Sequence, residues 1–401
     1  MVEWKKIEDM GRFFGGLTGK TKDDFEDGNA KFVTYMNVFS NPSLNTSTVG
    51  LVKINKDEKQ NKIKRGDVLF TGSSETPDEC GMSCVITEEL KEDYYMNSFC
   101  FGLRLSEPET YNLNYLKHVF RSDLIRKKIT KAASGVTRFN ISKARFGKVQ
   151  IPIPPLSEQH HIASFLDSFP SSIENLKEQI AQRRKQYEYY RDQLYYASKA
   201  DLLEASRNGK AIVKSLDELG TFTRGRRFVR TDIVPEGVPC IHYGDMYTYY
   251  GVSAEETPTH LTKELSSKLR FAKNGDVVIV AAGENDLDIG LGVAWLGKEP
   301  VVVHDACFIF EHKMNPKYLS HFMRSRNYHQ QIRMGVVDGK ICSISAKELG
   351  RALIAVPPLS EQQRIVSILD TFEASIQNLE AQLKEREKQY EYYRNQLLTF
   401  E

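Results

Sequence analysis

The sequence predicts an α+β protein of two globular mixed α/β domains, each followed by a long helix, and three observations carry that reading. The chain has 401 residues, more than one ordinary core needs and enough for two domains of about 150 residues plus connecting elements. Its second half repeats its first. Each repeat ends in a stretch whose apolar spacing is that of a long paired helix.

The repeat is plain at the end of each half. Residues 154–194, PPLSEQHHIASFLDSFPSSIENLKEQIAQRRKQYEYYRDQL, align without a gap on 357–397, PPLSEQQRIVSILDTFEASIQNLEAQLKEREKQYEYYRNQL, at an offset of 203 (357 − 154). Asn114-Tyr115-Leu116 against Lys317-Tyr318-Leu319 and Gly147 against Gly350 keep that offset, while Gly66-Asp67-Val68 against Gly275-Asp276-Val277 gives 209. The whole half therefore reads as duplicated, with a diverged front portion.

In the first copy Ile162, Leu166, Phe169, Ile173, Leu176, Ile180, Tyr187, Tyr190 and Leu194 follow a 4,3,4,3 spacing interrupted at Arg183. The second repeats it with Ile365, Leu369, Phe372, Ile376, Leu379, Leu383, Tyr390, Tyr393 and Leu397, interrupted at Arg386. Such spacing over about five heptads predicts a coiled coil. Two like stripes in one chain favour mutual pairing, and the length of chain between them favours an antiparallel pair with a pseudo-two-fold relation of the halves. The Pro-Pro before each run stops a preceding helix, and Ser157 or Ser360 is the expected N-cap, with Glu158 or Glu361 in the first turn. Pro170 is expected to bend the first helix without interrupting it. A helix of about 35 residues spans roughly 50 Å.

The globular parts read as short strands (Asp67–Phe70, Asp276–Val280, Val301–Val303) between Gly-rich turns, with helices near 114–132 and 315–333. The expected organisation is 1–155 and 201–358 for the two domains, with helical regions at 156–200 and 359–401. Cys80, Cys84, Cys100, Cys240, Cys307 and Cys342 include no CxxC pair and read as reduced, mostly buried thiols. With no 18-residue apolar run and no apolar segment in MVEWKKIEDMGRFF, the expected location is the cytoplasm.

No catalytic centre emerges. Gly15-Gly16-Leu17-Thr18-Gly19-Lys20-Thr21 ends like a P-loop, but the glycine required five residues before Gly19 is Phe14. His304 and Cys307 have no second metal-ligating pair, and Asp286 and Asp288 lack the closing glutamate of a calcium loop. Neither a metal nor a cofactor is expected in this chain.

Charge is more informative. Although 55 basic and 53 acidic residues give a net charge of only +2, ten Lys and Arg between Lys117 and Lys148 face one acid, Asp123. The corresponding stretch at 320–351 is also basic, and Arg224-Gly225-Arg226-Arg227 with Arg230 falls near the place held in the first half by Gly19-Lys20-Thr21-Lys22. Paired basic regions suit phosphate contacts. Lys20, Thr21, Lys22, Arg138, Arg224, Arg226, Arg227, Arg230 and Lys340 are the candidate DNA contacts.

PPLSEQ followed by an Ile-x-x-x-Leu-Asp heptad helix ending in KQYEYYR, present twice at half-chain spacing, resembles the specificity subunit of type I restriction-modification systems. The resemblance covers the full length. It implies two target recognition domains that each read part of a split, asymmetric DNA site, helices that set the gap, and docking of two modification subunits along those helices. It also implies that S-adenosylmethionine belongs to the modification subunits, and ATP and magnesium to a separate motor and nuclease subunit, leaving this chain non-catalytic. The competing reading is a coiled-coil scaffold or tether for other proteins.

Overall fold

A computed structural model describes residues 2–400; Met1 and Glu401, the outermost residues of the expected first domain and second helical region, lie outside the described residues. Two long helices, Leu156–Leu194 and Leu359–Leu397, each run for 39 residues. The chain divides into two units, Met1–Lys177 with Ala381–Glu401, and Glu178–Glu380. Each unit thus contains a length of both helices.

The first unit is built on an antiparallel sheet in the order Gly11–Gly15, Cys100–Leu105, Asp67–Thr71, Ser83–Val85. Asp67–Thr71 is buried along its whole length, which explains its unbroken apolar run. Phe70 and Phe101 stack at 5.4 Å, and Phe146 and Phe120 meet Phe70 edge-on at 4.8 and 5.1 Å. A smaller sheet pairs Ala30–Val33 antiparallel with Gly50–Val52 and parallel with Tyr94–Met96. The second unit repeats both sheets. Gly220–Arg224, Cys307–His312, Val277–Val280 and Gly292–Trp295 form the first, with Ser253–Ala254 added at its edge, and Val238–Ile241 pairs parallel with Val301–Val303 in the second.

The Gly-Asp-Val echo has a local cause. Gly66 and Gly275 take φ of 89° and 94°, a region open chiefly to glycine, and the following aspartate folds back to accept the amide of Lys64 (2.9 Å) or Lys273 (2.7 Å). Each echo therefore marks the turn that starts a central strand. The predicted helix near 114–132 is two helices, Leu113–Val119 and Asp123–Thr130, and that near 315–333 is likewise Pro316–Phe322 and Arg326–Ile332. Asn112, Asn315 and Ser325 cap three of these by accepting backbone amides.

Three interactions, each repeated at offset 203, attach these short helices to the long ones. The first explains PPLSEQ. The long helices begin one residue earlier than the serine, with Pro155 and Pro358 carbonyls accepting the first amides. Ser157 and Ser360 therefore lie inside the first turn and are not N-caps, a correction to the sequence expectation. The buried glutamine does the fastening: Gln159 Oε1 accepts the amide of Asn112 (2.9 Å) while its Nε2 donates to Pro154 O (2.9 Å). Gln362 does the same with Asn315 N (2.9 Å) and Pro357 O (2.8 Å).

The second is a buried histidine. His118 Nε2 lies 2.6 Å from Asp167 Oδ1 and its Nδ1 3.0 Å from Tyr390 Oη. His321 repeats this with Asp370 (3.3 Å) and Tyr187 (2.9 Å). In each unit the ring joins a short helix to both long helices. A neutral imidazole satisfies both contacts, its N–H donating to the carboxylate and its bare nitrogen accepting the tyrosine O–H. Lys117 (2.8 Å) and Lys317 (2.6 Å) also hold these carboxylates, from different turns of the short helix. The third caps the next helix: Asn395 Oδ1 accepts Asp123 N (3.1 Å), and Asp192 Oδ1 accepts Arg326 N (3.0 Å).

The heptad positions divide by contact. In the first unit, Ile162 and Leu166 are buried in the core, Ile173 and Leu176 are half-buried, and Phe169 packs on Tyr390 and Tyr393 at 5.9 Å. There Tyr393, 39% exposed, also meets Phe165 edge-on, while Leu383 and Leu397 are half-buried. In the second unit Ile365, Leu369, Ile180 and Tyr187 are buried, Leu194, Ile376 and Leu379 half-buried, and the more exposed Tyr190 stacks on Phe372 at 5.4 Å. Within each unit early residues of one helix meet late residues of the other, so the segments are antiparallel. Pro170 sits inside an unbroken helix. All six cysteines are free and buried.

These contacts set two tests. Gln159→Leu or Gln362→Leu leaves a buried backbone amide and carbonyl without partners and lowers stability by about 1–3 kcal/mol in urea unfolding; a decrease below a few tenths would remove the glutamine from the fastening. Burial holds the pKa of His118 and of His321 below the ordinary 6.5 despite the facing aspartate, and burial takes His312 down to about 4. A depressed folded pKa means stability that is full above the unfolded value and lost as pH falls through the folded one. The melting temperature accordingly falls between about pH 7 and pH 5, a range in which ordinary carboxylates stay ionised.

Candidate nucleic-acid interface

The basic stretch 117–148 does two jobs. Arg121 is turned inward, donating to the carbonyls of Ser83 (2.6 Å), Val38 (3.0 Å), Phe39 (2.9 Å) and Asn41 (3.0 Å). Arg126 donates to Gly81, Asp78 and Cys80 at 2.6–2.7 Å. Burial lowers both guanidinium pKa values to about 10. Lys117 is bound to Asp167, and Lys128 lies 4.2 Å over the Trp4 ring. In the second unit Arg324 is likewise spent on the carbonyls of Gly292, Gly251 and Ser320. The charge counted from sequence thus overstates what a polyanion meets. Lys127, Lys131, Arg138, Lys143, Arg145 and Lys148 remain exposed.

The candidate contacts differ in how free they are. Lys20 is the most constrained: its ammonium sits 2.6 Å from Glu58 Oε2 and 2.5 Å from Lys53 O, with a side chain only 6% exposed. Lys20 and Gln60 together hold the Glu58 carboxyl at about 2. Thr21 caps the short 3-10 turn Lys22–Phe25 through Asp24, leaving Lys22 exposed. No α-helix follows Gly19, so the P-loop resemblance stops at three residues.

Arg224, Arg226, Arg227 and Arg230 are all exposed around the end of strand Gly220–Arg224. Arg224 Nε donates to Asp305 O (2.8 Å) and Arg226 to Lys268 O (2.7 Å), so these two are aimed by the backbone of neighbouring loops. Beside them His304 Nε2 contacts Phe228 O at 3.0 Å. Arg138 and Lys340 are exposed on the loops that follow Asp123–Thr130 and Arg326–Ile332. Arg138 lies 5.1 Å over the Phe99 ring and 3.3 Å from Ser73 Oγ. It borders an open cleft of about 820 Å³ shared with Tyr35, Phe39 and Glu79.

Sequence reasoning missed the buried fastening set. A signal for it existed: the register that aligns the helices also aligns His118 with His321, Asp167 with Asp370 and Tyr187 with Tyr390. Among the described residues, His321, Asp370 and Glu373 place ligand atoms within 4.8 Å of one another. Lys317 already holds Asp370 there, and the first unit has Pro170 at the place of Glu373.

No described helix is long and apolar enough to cross a membrane. Residues 1–183 and 208–387 match the family described as type I restriction modification DNA specificity domain. The specificity subunit of the Escherichia coli type I restriction enzyme EcoR124I/EcoR124II is 30% identical over 268 residues, an alignment spanning 63% of each chain. The MjaVIII specificity subunit of Methanocaldococcus jannaschii is 22% identical over 65% of this chain and 64% of that one. The crystal structure of the type I restriction-modification S subunit from M. genitalium shares the fold at a TM-score of 0.55 and 15% identity, covering 100% of this chain and 97% of that one. A chain in a solved structure concerning complex assembly of the type I R-M system matches at a TM-score of 0.63 and 16% identity, covering 99% and 97%. Two duplicated units, matched by one family over nearly their whole length, place this chain in the type I restriction-modification DNA specificity family, as a DNA specificity subunit.

Proposed function

We propose that this specificity subunit reads a split, asymmetric DNA site, one part with residues 1–155 and the other with residues 201–358. The helical regions 156–200 and 359–401 serve as docking surfaces for two modification subunits, and restriction subunits join that complex in the cytoplasm. The family is non-catalytic, its methyltransferase and nuclease activities residing in the modification and restriction subunits. S-adenosylmethionine would therefore be held by the modification subunits, and ATP and magnesium by the restriction subunits.

One observation carries the reading. The two units keep the same internal fastenings at offset 203 but carry different exposed cations: Lys22 and Arg138 in one, Arg224, Arg226, Arg227, Arg230 and Lys340 in the other. A common frame with unlike surfaces is what an asymmetric site requires. Lys20 and Thr21 are proposed as supports of the first surface, Lys20 reaching a phosphate only by leaving Glu58.

Modified-base sequencing of DNA from cells carrying the modification subunit, with and without this chain, tests the proposal. A split methylated motif that appears only with the chain supports it; an assembled complex without any motif contradicts it. In the assembled complex, Arg226→Ala with Arg227→Ala weakens DNA binding and lowers the slope of log affinity against log salt by about 0.9 for each phosphate no longer neutralised. Unchanged affinity would remove that loop from the interface.

A further inference from the structure

Both units place their most exposed large apolar side chain on the same connection. Val136, 91% exposed, follows helix Asp123–Thr130, and Met334, 94% exposed, follows Arg326–Ile332. No other large apolar side chain among the described residues is as exposed, and Val337 and Ile341, at 66% and 63%, continue the second loop. Val136 lies in the hairpin between Ala133–Gly135 and Phe139–Ile141 and Met334 in the 3-10 turn Arg333–Gly335, so what recurs is exposed apolar character on the same connection, at positions that do not align.

These loops are held at their bases. In the first unit Ala133–Gly135 pairs with Phe139–Ile141, which pairs with Ser73–Ser74 beside the central strand. Gly135 has a φ of 154°, open chiefly to glycine, where the chain turns into the tip. In the second unit Cys342–Ser343 pairs with Ala282–Gly283 and Val337 bridges to Ser343, while Met334 precedes that bridge in the 3-10 turn Arg333–Gly335. Exposed cations flank both side chains in sequence: Lys131, Arg138 and Lys143 in one unit, Arg333 and Lys340 in the other. Of the carboxylates nearby, Glu79 is bonded to Ser74 and Glu348 to Arg351, leaving Glu75, Asp338 and Asp286, which lines a cleft with Arg333. A core would take an apolar tip and exclude its cations; a phosphate surface would take the cations and gain nothing from the tip. A duplex groove accommodates both, with phosphates at its rim and apolar contacts on its bases.

We infer that Val136 in one unit and Met334 in the other make apolar contacts with base pairs of double-stranded DNA, while the flanking cations hold the phosphates on either side. The inference rests on the proposed function and adds to it the residues that read bases. It predicts a division of labour: the cations set the salt dependence, and the apolar tips contribute affinity without it.

The test uses the full chain assembled with its modification subunits and a duplex carrying the wild-type methylated motif. Val136→Ser and Met334→Ser each weaken binding about tenfold at fixed salt with the wild-type salt slope, whereas Arg138→Ala flattens the slope. Val136→Thr, nearly the same shape as valine, gives a partial decrease and guards against a folding artefact. In methylation sequencing, Val136→Ser relaxes one part of the motif and Met334→Ser the other. Unchanged affinity and motif in the variants overturn the inference, as does an equal weakening on unrelated DNA or failure to assemble with the modification subunits when DNA is absent. A wild-type complex with no sequence preference overturns the proposed function itself, so the two failures are distinct.

Discussion

The structure depends on keeping a buried histidine neutral between a carboxylate and a tyrosine, once in each unit. His118 and His321 are almost fully buried, and a charge at such a site is costly unless fully paired. The aspartate orients the ring, the tyrosine comes from the other long helix, and a lysine completes the carboxylate's partners. Because each ring links its own short helix to two segments distant in sequence, it fixes how that helix meets the paired helices. The glutamine of PPLSEQ and the Asn395 and Asp192 caps work on either side of it. Sequence identity at these points can remain high while the loops diverge.

Two demands on charge are separated within one basic stretch. Arg121, Arg126 and Arg324 are interior struts, each donating to the backbone carbonyls of several segments at once. Their neighbours Lys127, Lys131 and Arg138 face outward. Replacing an inward arginine would disturb loop structure first, so weaker DNA binding in such a variant would not identify a contact. The outward group is the part of the stretch open to an outside polyanion, and its cost to folding is small because surface charges are weakly coupled.

The long helices were legible in the sequence because their signal is local and periodic: Leu166 and Leu369 fall on the predicted stripe and are fully buried. The central strands were legible for a related reason, since Asp67–Phe70 and Val277–Val280 are covered on both faces and read as unbroken apolar runs. Less could be read where a side chain's direction is decided by partners far along the chain. Arg126 and Lys127 are adjacent and alike in composition, yet one is inside and the other outside. Ser157 looked like a cap, but the preceding carbonyl of Pro155 starts the helix one residue sooner. The exposed side chains of Val136 and Met334 carry no periodic signal at all.

The most direct test of the histidine fastening is a double-mutant cycle on His118 and Asp167 and another on His321 and Asp370, with asparagine at each position, followed by denaturant unfolding of the whole chain. Each pair is predicted to couple by about 1–3 kcal/mol, with the loss of stability between about pH 7 and pH 5 reduced in each single histidine variant. Additive effects in both cycles, with the pH dependence unchanged, would contradict it.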